Sequence, residues 1–388
     1  MSTYAPFYRD SWMEVNLDAI KANITELKNL LTSEKKVFAA IKANAYGHGD
    51  VQVAQAAMDA GVDGFAVALL DEAIRLRKYG VHLPILVMGY VKPEFVQIAA
   101  DHNITLTAFQ SGWLKEAKKY LLHKTVAIHV KFDTGMGRIG IRTEEELQDF
   151  INQLTDSRFF VEGVYTHFAT ADEEDLTYYE TQQTRFQRLL SIFQESVVEP
   201  VTVHTGNSAA GMRFPQQMFH AVRFGISMYG LYPSSQVKRE HPMPLQPALS
   251  LHSTLSHIKQ LPKGEFISYG ATYETKGNEW IGTIPLGYGD GWIRKLNKAD
   301  VLIDGKRMPI VGRICMDQFM VRLDRFYPVG TKVTLIGRQE KEEITVDEVA
   351  QHLDTISYEV PCMINGRVPR VYLENGQIKQ TFNQLTTY

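Results

Sequence analysis

Cysteine is scarce in this chain: Cys315 and Cys362 are the two in 388 residues. They lie far apart without CxxC spacing, which supports neither a disulfide framework nor structural zinc and fits a reducing compartment. No apolar run reaches the roughly 20 residues that span a bilayer. The N-terminal MSTYAPFYRDSW lacks the basic-then-apolar pattern of a secretory signal, so a cytoplasmic location with no membrane partner is expected. A basic excess is missing too. Lys and Arg number 41 against 44 Asp and Glu, a net charge of -3 at pH 7, which argues against nucleic acid as a partner. No fixed-period repeat and no low-complexity tract occurs. There remains a globular chain suited to a small-molecule substrate, long enough for two domains or for one large α/β barrel with an appendage.

What is present is alternation. Short apolar, β-rich segments at 37–42, 65–69, 84–89, 104–109, 126–133, 161–168, 201–207 and 221–230 alternate mostly with amphipathic stretches, the last of them a short helix near 208–213. Eight strands separated by helices predict a (β/α)8 TIM-type barrel over 18–240, with reactive groups at the C-terminal ends of the strands. Residues 1–17 hold a short strand expected to pack with a second domain. From 241 to 388 the composition shifts to short β-rich runs punctuated by Gly and Pro, with one clear helix near 346–353, which predicts a mostly β domain. HPMPLQP (241–247) reads as the linker, because its prolines interrupt helix and sheet alike.

In VFAAIKANAYGHGD (37–50) a lone Lys42 ends a segment that should be buried, with Gly47 and Gly49 allowing a tight turn beyond it. Lys42 either snorkels to the surface or closes an ion pair, or it is a desolvated amine able to form a Schiff base with an aldehyde cofactor. On a barrel it shares the rim with Arg138 after the fifth strand, His167 ending the sixth, Asn207 and Ser208 after the seventh, and Arg223 within the eighth. A core histidine or a structural ion pair explains any one of these; five at one rim are harder to dismiss. Asn207-Ser208 opens a short helix whose free amides suit a phosphate, the Gly225-Ile226 backbone can approach the same place, and Tyr46 and Tyr358 add hydroxyl donors. An aldehyde-reactive lysine beside a phosphate cradle points to pyridoxal 5'-phosphate. If Arg223 faces the pyridine nitrogen, it leaves the ring largely unprotonated and a weak electron sink, which favours racemisation over transamination.

The motifs AAIKANAYGHG, FDTGMGRIG, YTHFATAD, NSAA, VRFGISMYG, SYGATY, GYGDGW, VGRICMDQ and INGRVPR occur in this order. Along essentially its whole length the chain resembles a bacterial alanine racemase, a fold-type III pyridoxal phosphate enzyme. The resemblance implies a cytoplasmic homodimer with its active sites at the subunit interface, making D-alanine for peptidoglycan. It makes Lys42 the Schiff-base lysine and one base, and Tyr269 of the second subunit the opposed base, hydrogen-bonded to His167, which also contacts Arg223. Tyr46, Ser208, Gly225, Ile226 and Tyr358 would hold the phosphate. Arg138 and the Met316 amide would receive the substrate carboxylate, Asp317 would orient that loop, and Tyr288 would line the access corridor. Lys131 aligns with a lysine often carbamylated in the family, where the carbamate positions Arg138; no metal is implied. Two departures stand out: YGDGW where many members read YADGW, and Asn365-Gly366 where relatives often carry bulkier residues. An amino-acid decarboxylase of the same fold would place an acid where this chain has Arg223. A non-catalytic pyridoxal phosphate carrier would lack the long β domain.

Overall fold

The computed structural model describes residues 7–154, 156–197 and 201–386; residues 1–6 of the expected N-terminal strand lie outside the described residues. The chain forms two compact units, one of Ala19–Ala45 and Asp50–Gln246, the other of Met1–Asp18, Tyr46–Gly49 and Pro247–Tyr388.

After β1 (Ser11–Asn16), which belongs to the second unit, eight strands follow: β2 (Lys36–Ala40), β3 (Gly64–Val67), β4 (Ile85–Val87), β5 (Thr105–Ala108), β6 (Val126–Lys131), β7 (Phe159–Tyr165), β8 (Thr202–Gly206) and β9 (Ala221–Phe224). They close into a parallel barrel in which β9 pairs back onto β2. Every residue of β3, β4, β5 and β9 is buried, because lumen and helices cover both faces of such a strand. That is why these segments read as continuous apolar runs rather than alternating ones.

Two segments depart from the expected pattern. The turn after β2 does not wait for Gly47: Ala43, Asn44, Ala45 and Tyr46 all have φ between 51° and 54°, a left-handed helical turn built without glycine. Such residues cost about 1–2 kcal/mol each, so local bonds must hold them. Glu72 supplies part of this hold, its carboxylate accepting from the amides of Ala43 (2.6 Å), Ala68 (2.8 Å) and Leu69 (3.0 Å). Asn44 supplies another part, accepting from the Asp50 amide at 3.0 Å. The eighth barrel strand stops at Phe224, since Gly225 (φ -108°, ψ -111°) turns the chain into a 3-10 helix at Ile226–Tyr229.

The second unit is a mostly β assembly. Its large sheet runs in the order β11 (His257–Leu261), β14 (Glu279–Ile284), β17 (Phe319–Leu323), β16 (Lys306–Val311), β15 (Asp300–Ile303), β18 (Lys332–Gln339), β10 (Leu249–Thr254), β1, β20 (Arg370–Glu374), β21 (Gln377–Phe382), with β19 (Glu342–Ile344) on β18 and a separate ribbon of β12 (Phe266–Ile267) and β13 (Tyr273–Glu274). β1 lies antiparallel to β10 and parallel to β20, with Met13 opposite both Leu251 and Arg370. Asp290, within GYGDGW, is fully buried, accepts from the Gly287 amide and pairs with Arg9 at 2.9 Å and Arg367 at 3.4 Å. It closes the tight turn that begins at Gly287 and is also an ion-pair hub. In the unusual Asn365-Gly366 pair, the Asn365 side-chain amide donates to the Gly289 carbonyl at 2.8 Å, whereas nothing in the structure explains the glycine, since a Cβ there would meet only the movable end of the exposed Gln384 side chain.

Candidate active site

In the barrel unit the structure gathers Lys42, Lys131, Arg138, His167, Ser208, Arg223, Gly225 and Ile226 at or just beyond the C-terminal strand ends. Lys42 follows β2 after Ile41, at the head of the left-handed turn. Arg223 is 4% exposed, and its two terminal nitrogens are fully engaged. One donates to His204 Nδ1 at 2.8 Å; the other donates to the carbonyls of Thr166 (2.8 Å) and Thr205 (3.0 Å) and lies 3.3 Å from His167 Nδ1. Its Nε–H has no acceptor among the described residues, which makes it the free donor of this guanidinium. Burial brings Arg223 down from 12.5 to about 10, so it remains a cation at neutral pH. Burial first, then Arg223, Arg138, Lys131 and Lys42, holds His167 well below an ordinary imidazole, so it is neutral.

Ser208 opens the short helix Ser208–Arg213, and its hydroxyl accepts from the Gly225 amide at 2.9 Å, which joins the two backbone segments expected to cradle phosphate. Asn207 caps that helix through the Ala210 amide at 3.0 Å. Lys131 ends β6, 3% exposed, donating to the Phe132 carbonyl at 2.7 Å and lying 5.5 Å from the Tyr165 ring centre. Burial, then Arg223 and Arg138, lowers it to about 7 against the pull of Asp133. Arg138 is exposed on the glycine-rich loop after β6.

The β unit gathers the other set. Tyr269 is 72% exposed, on a turn in which Ser268 (φ 68°), Gly270 (φ 73°) and Ala271 (φ 46°) all take positive φ. The Ser268 hydroxyl anchors the turn by donating to the Arg313 carbonyl at 2.6 Å. Tyr269, Met316 and Asp317 line one open depression together with Ser268, Cys315 and Gln318. The Met316 amide has no acceptor among the described residues. Asp317 is held by Arg367 at 2.7 Å, and the Tyr288 amide bonds the Cys315 carbonyl at 3.1 Å, so Tyr288 is tied to the same loop. Tyr46 and Tyr358 stand with ring centres 6.3 Å apart. Burial, with a contribution from Cys362, pushes the Tyr46 hydroxyl above its ordinary range and keeps it a neutral donor. Neither cysteine forms a disulfide.

Sequence reasoning missed Glu72, His129, Glu162, His204 and Arg367. Each is a polar residue with at least one partner more than 25 residues away along the chain, and the pattern of the surrounding segment does not point to that partner.

Comparison with known proteins places these two sets in a family. The model for the alanine racemase N-terminal domain matches residues 15–233, and that for the alanine racemase C-terminal domain matches residues 248–372. The chain is 52% identical to alanine racemase 1 of Bacillus subtilis over 99% of its own length and 98% of the relative's. It is 54% identical to alanine racemase of Halalkalibacterium halodurans, covering 98% of this chain and 99% of that one. Among solved structures, the alanine racemase of Bacillus anthracis with bound L-Ala-P matches with a TM-score of 0.96 at 50% identity, over 98% of this chain and 99% of that one. The closed parallel barrel, the following β domain and full-length similarity to these enzymes together place this chain in the alanine racemase family.

Proposed function

We propose that this protein interconverts L- and D-alanine with pyridoxal 5'-phosphate as cofactor. It acts as a cytoplasmic homodimer in which a second copy contributes Tyr269, and its D-alanine supplies peptidoglycan synthesis. In this reading residues 18–240 form the cofactor-binding domain and 241–388 the domain that carries the tyrosine. The observation that supports it most is Arg223, a buried guanidinium whose terminal nitrogens are all engaged while Nε–H is left to donate.

The residues present fit the cofactor. Lys42 is the amine that would hold its aldehyde carbon. Ser208, the Gly225-Ile226 backbone, Tyr46 and Tyr358 would take the phosphate. Bound there, the cofactor supplies an electron-withdrawing ring conjugated to the substrate Cα. Arg223, a cation up to about pH 10, would donate to the ring nitrogen without surrendering its proton, which would keep the ring a weak electron sink and favour prompt return of the α-proton. That favours racemisation over transamination or decarboxylation. Lys42 and Tyr269 exchange the proton on opposite faces of Cα. A tyrosine hydroxyl ordinarily ionises near pH 10 and needs help to lose its proton; neutral His167, whose Nδ1 faces Arg223 at 3.3 Å and whose proton therefore sits on Nε2, would donate to the Tyr269 oxygen and favour its phenolate.

Arg138 and the Met316 amide receive the substrate carboxylate, with Asp317 fixing that loop through Arg367 and Tyr288 lining the access corridor. Lys131 has the chemistry of a carbamylated lysine. Its amine is neutral about half the time at pH 7 and adds carbon dioxide as R–NH2 + CO2 → R–NHCOO⁻ + H⁺, giving an anion that positions Arg138.

The test is the absorbance spectrum of the purified protein followed by incubation with L-alanine in deuterated water. Visible cofactor absorbance and D-alanine carrying deuterium at Cα are expected. Bound chromophore without D-alanine would refute the reading.

A further inference from the structure

A chain of polar side chains runs through the barrel lumen behind Arg223. The Arg223 terminal nitrogen lies 2.8 Å from His204 Nδ1, His204 Nε2 lies 2.8 Å from His129 Nδ1, and His129 Nε2 lies 3.3 Å from Glu162 Oε2. The Thr105 hydroxyl donates to the same Glu162 oxygen at 2.9 Å. These bonds join β5 to β7 and β6 to β8, strands that are not neighbours, so they cross the interior. His129 is 2% exposed and His204 0%.

The backbone is built around this chain. In the β6–β7 ladder Ile128 pairs with Val161 and His129 with Gly163, so Glu162 is an extra, bulged residue, the device that re-aims a side chain. In the β8–β9 ladder His204 pairs with Ala221 and Gly206 with Val222, which leaves Thr205 bulged, and its carbonyl accepts from Arg223. Gly163 makes room for the His129 ring, since a Cβ there would lie 2.6 Å from Cε1 and 2.7 Å from Nε2. Tyr165 stacks on His204 at 4.7 Å and 6°.

The two ends fix the direction of every proton. Arginine can only donate, so His204 Nδ1 is bare and its proton sits on Nε2. That proton points at His129 Nδ1, which is therefore the acceptor, and the His129 proton sits on Nε2, pointing at a carboxylate that can only accept. A second proton on either ring would set N–H against N–H across 2.8 Å. Burial and Arg223 hold His204 well below an ordinary imidazole, in keeping with its neutral form.

We propose that Glu162 is a positioning residue: it terminates a one-way hydrogen-bond chain, through neutral His129 and His204, that locks Arg223 in place as the donor to the cofactor ring nitrogen. This inference rests on the pyridoxal phosphate reading above. Without the terminal acceptor, His129 and His204 can reverse tautomer, and a proton on His204 Nδ1 displaces the guanidinium.

The test combines nitrogen-15 spectroscopy of labelled histidines with kinetics. In the wild-type protein, with and without cofactor, His129 and His204 are both expected as the Nε2–H tautomer; an Nδ1–H form or an imidazolium at either position would overturn the chain. Glu162→Gln keeps an acceptor and removes the charge. It is expected to keep both tautomers and to hold kcat within about threefold, while Glu162→Leu loses the fixed His129 signal and lowers kcat about tenfold or more at unchanged KM. Glutamine and leucine variants that behave alike, or a leucine variant with wild-type kcat, would overturn the proposal. Wild-type racemisation with the opposite tautomers removes this inference alone, whereas a protein without racemisation removes the reading beneath it.

Discussion

Lys131 provides a test that needs no substrate. Its ordinary value of 10.5 falls to about 7, first through burial and then through Arg223 and Arg138. The difference, 10.5 - 7 = 3.5, corresponds to about 5 kcal/mol between the two protonation states. The folded protein releases this proton near pH 7 and the unfolded chain keeps it until 10.5, so between these values the unfolded state binds one proton more. Stability therefore rises with pH across that window, by up to about 1.4 kcal/mol per pH unit, and the full cost is present below it. Lys131→Met deletes the titration and keeps most of the volume. In buffer free of carbon dioxide, urea unfolding of the cofactor-free proteins should show the variant ahead of wild type at pH 7, the gap closing by about 2 kcal/mol by pH 9. A gap that stays constant would refute the assignment. At pH 8 an amine of this kind is roughly 90% neutral, against roughly 0.3% for an ordinary lysine. Carbon-13 bicarbonate should then produce a carbamate resonance in wild type that Lys131→Met lacks.

Tyr269→Phe should suppress racemisation by about 10²–10⁴-fold while cofactor absorbance survives, and Lys42→Ala should abolish that absorbance; an undiminished rate in the phenylalanine variant would remove the two-base assignment. Glu72→Ala strips the acceptor from the amides of Ala43, Ala68 and Leu69 and should cost roughly 2–3 kcal/mol in urea unfolding, with weaker cofactor retention because Lys42 stands next to the first of these amides. Wild-type retention in that variant would mean that the left-handed turn holds without Glu72.

Much of the barrel was legible because a buried parallel strand advertises itself twice, as an unbroken apolar run and as an anomaly wherever that run contains a charge. Lys42 and Arg223 are such anomalies, and they are the residues on which the proposed cofactor reading rests. The left-handed turn was not legible. Lys42-Ala-Asn-Ala-Tyr46 contains no glycine before Gly47, and its residues individually favour a right-handed helix or a strand; the conformation is imposed by Asn44 bonding to Asp50 and by Glu72, about thirty residues on. No window short enough to carry a periodicity contains both the strain and what offsets it.

The same limit applies to the lumen. The strand expected at 161–168 is observed at Phe159–Tyr165; strict alternation from the lumen-facing Tyr165 would put Glu162 on the outer face, yet a bulge of one residue turns it toward His129. Because side chains alternate with a period of two, a single inserted residue reverses the face of whatever it displaces, and the apolar pattern on either side remains unchanged. Polar residues that serve the site from behind are thus the ones a pattern reading sends to the surface. Glu162, Thr205 and Gly163 are ordinary strand residues in the sequence, and only the register shows that two of them are bulged and that the third vacates the space for His129. A barrel interior filled only by apolar side chains would need none of these irregularities. Glu162 and Gly163 on β7 and Thr205 on β8 find one common reason in the proposal that they hold a single guanidinium, that of Arg223, in one orientation.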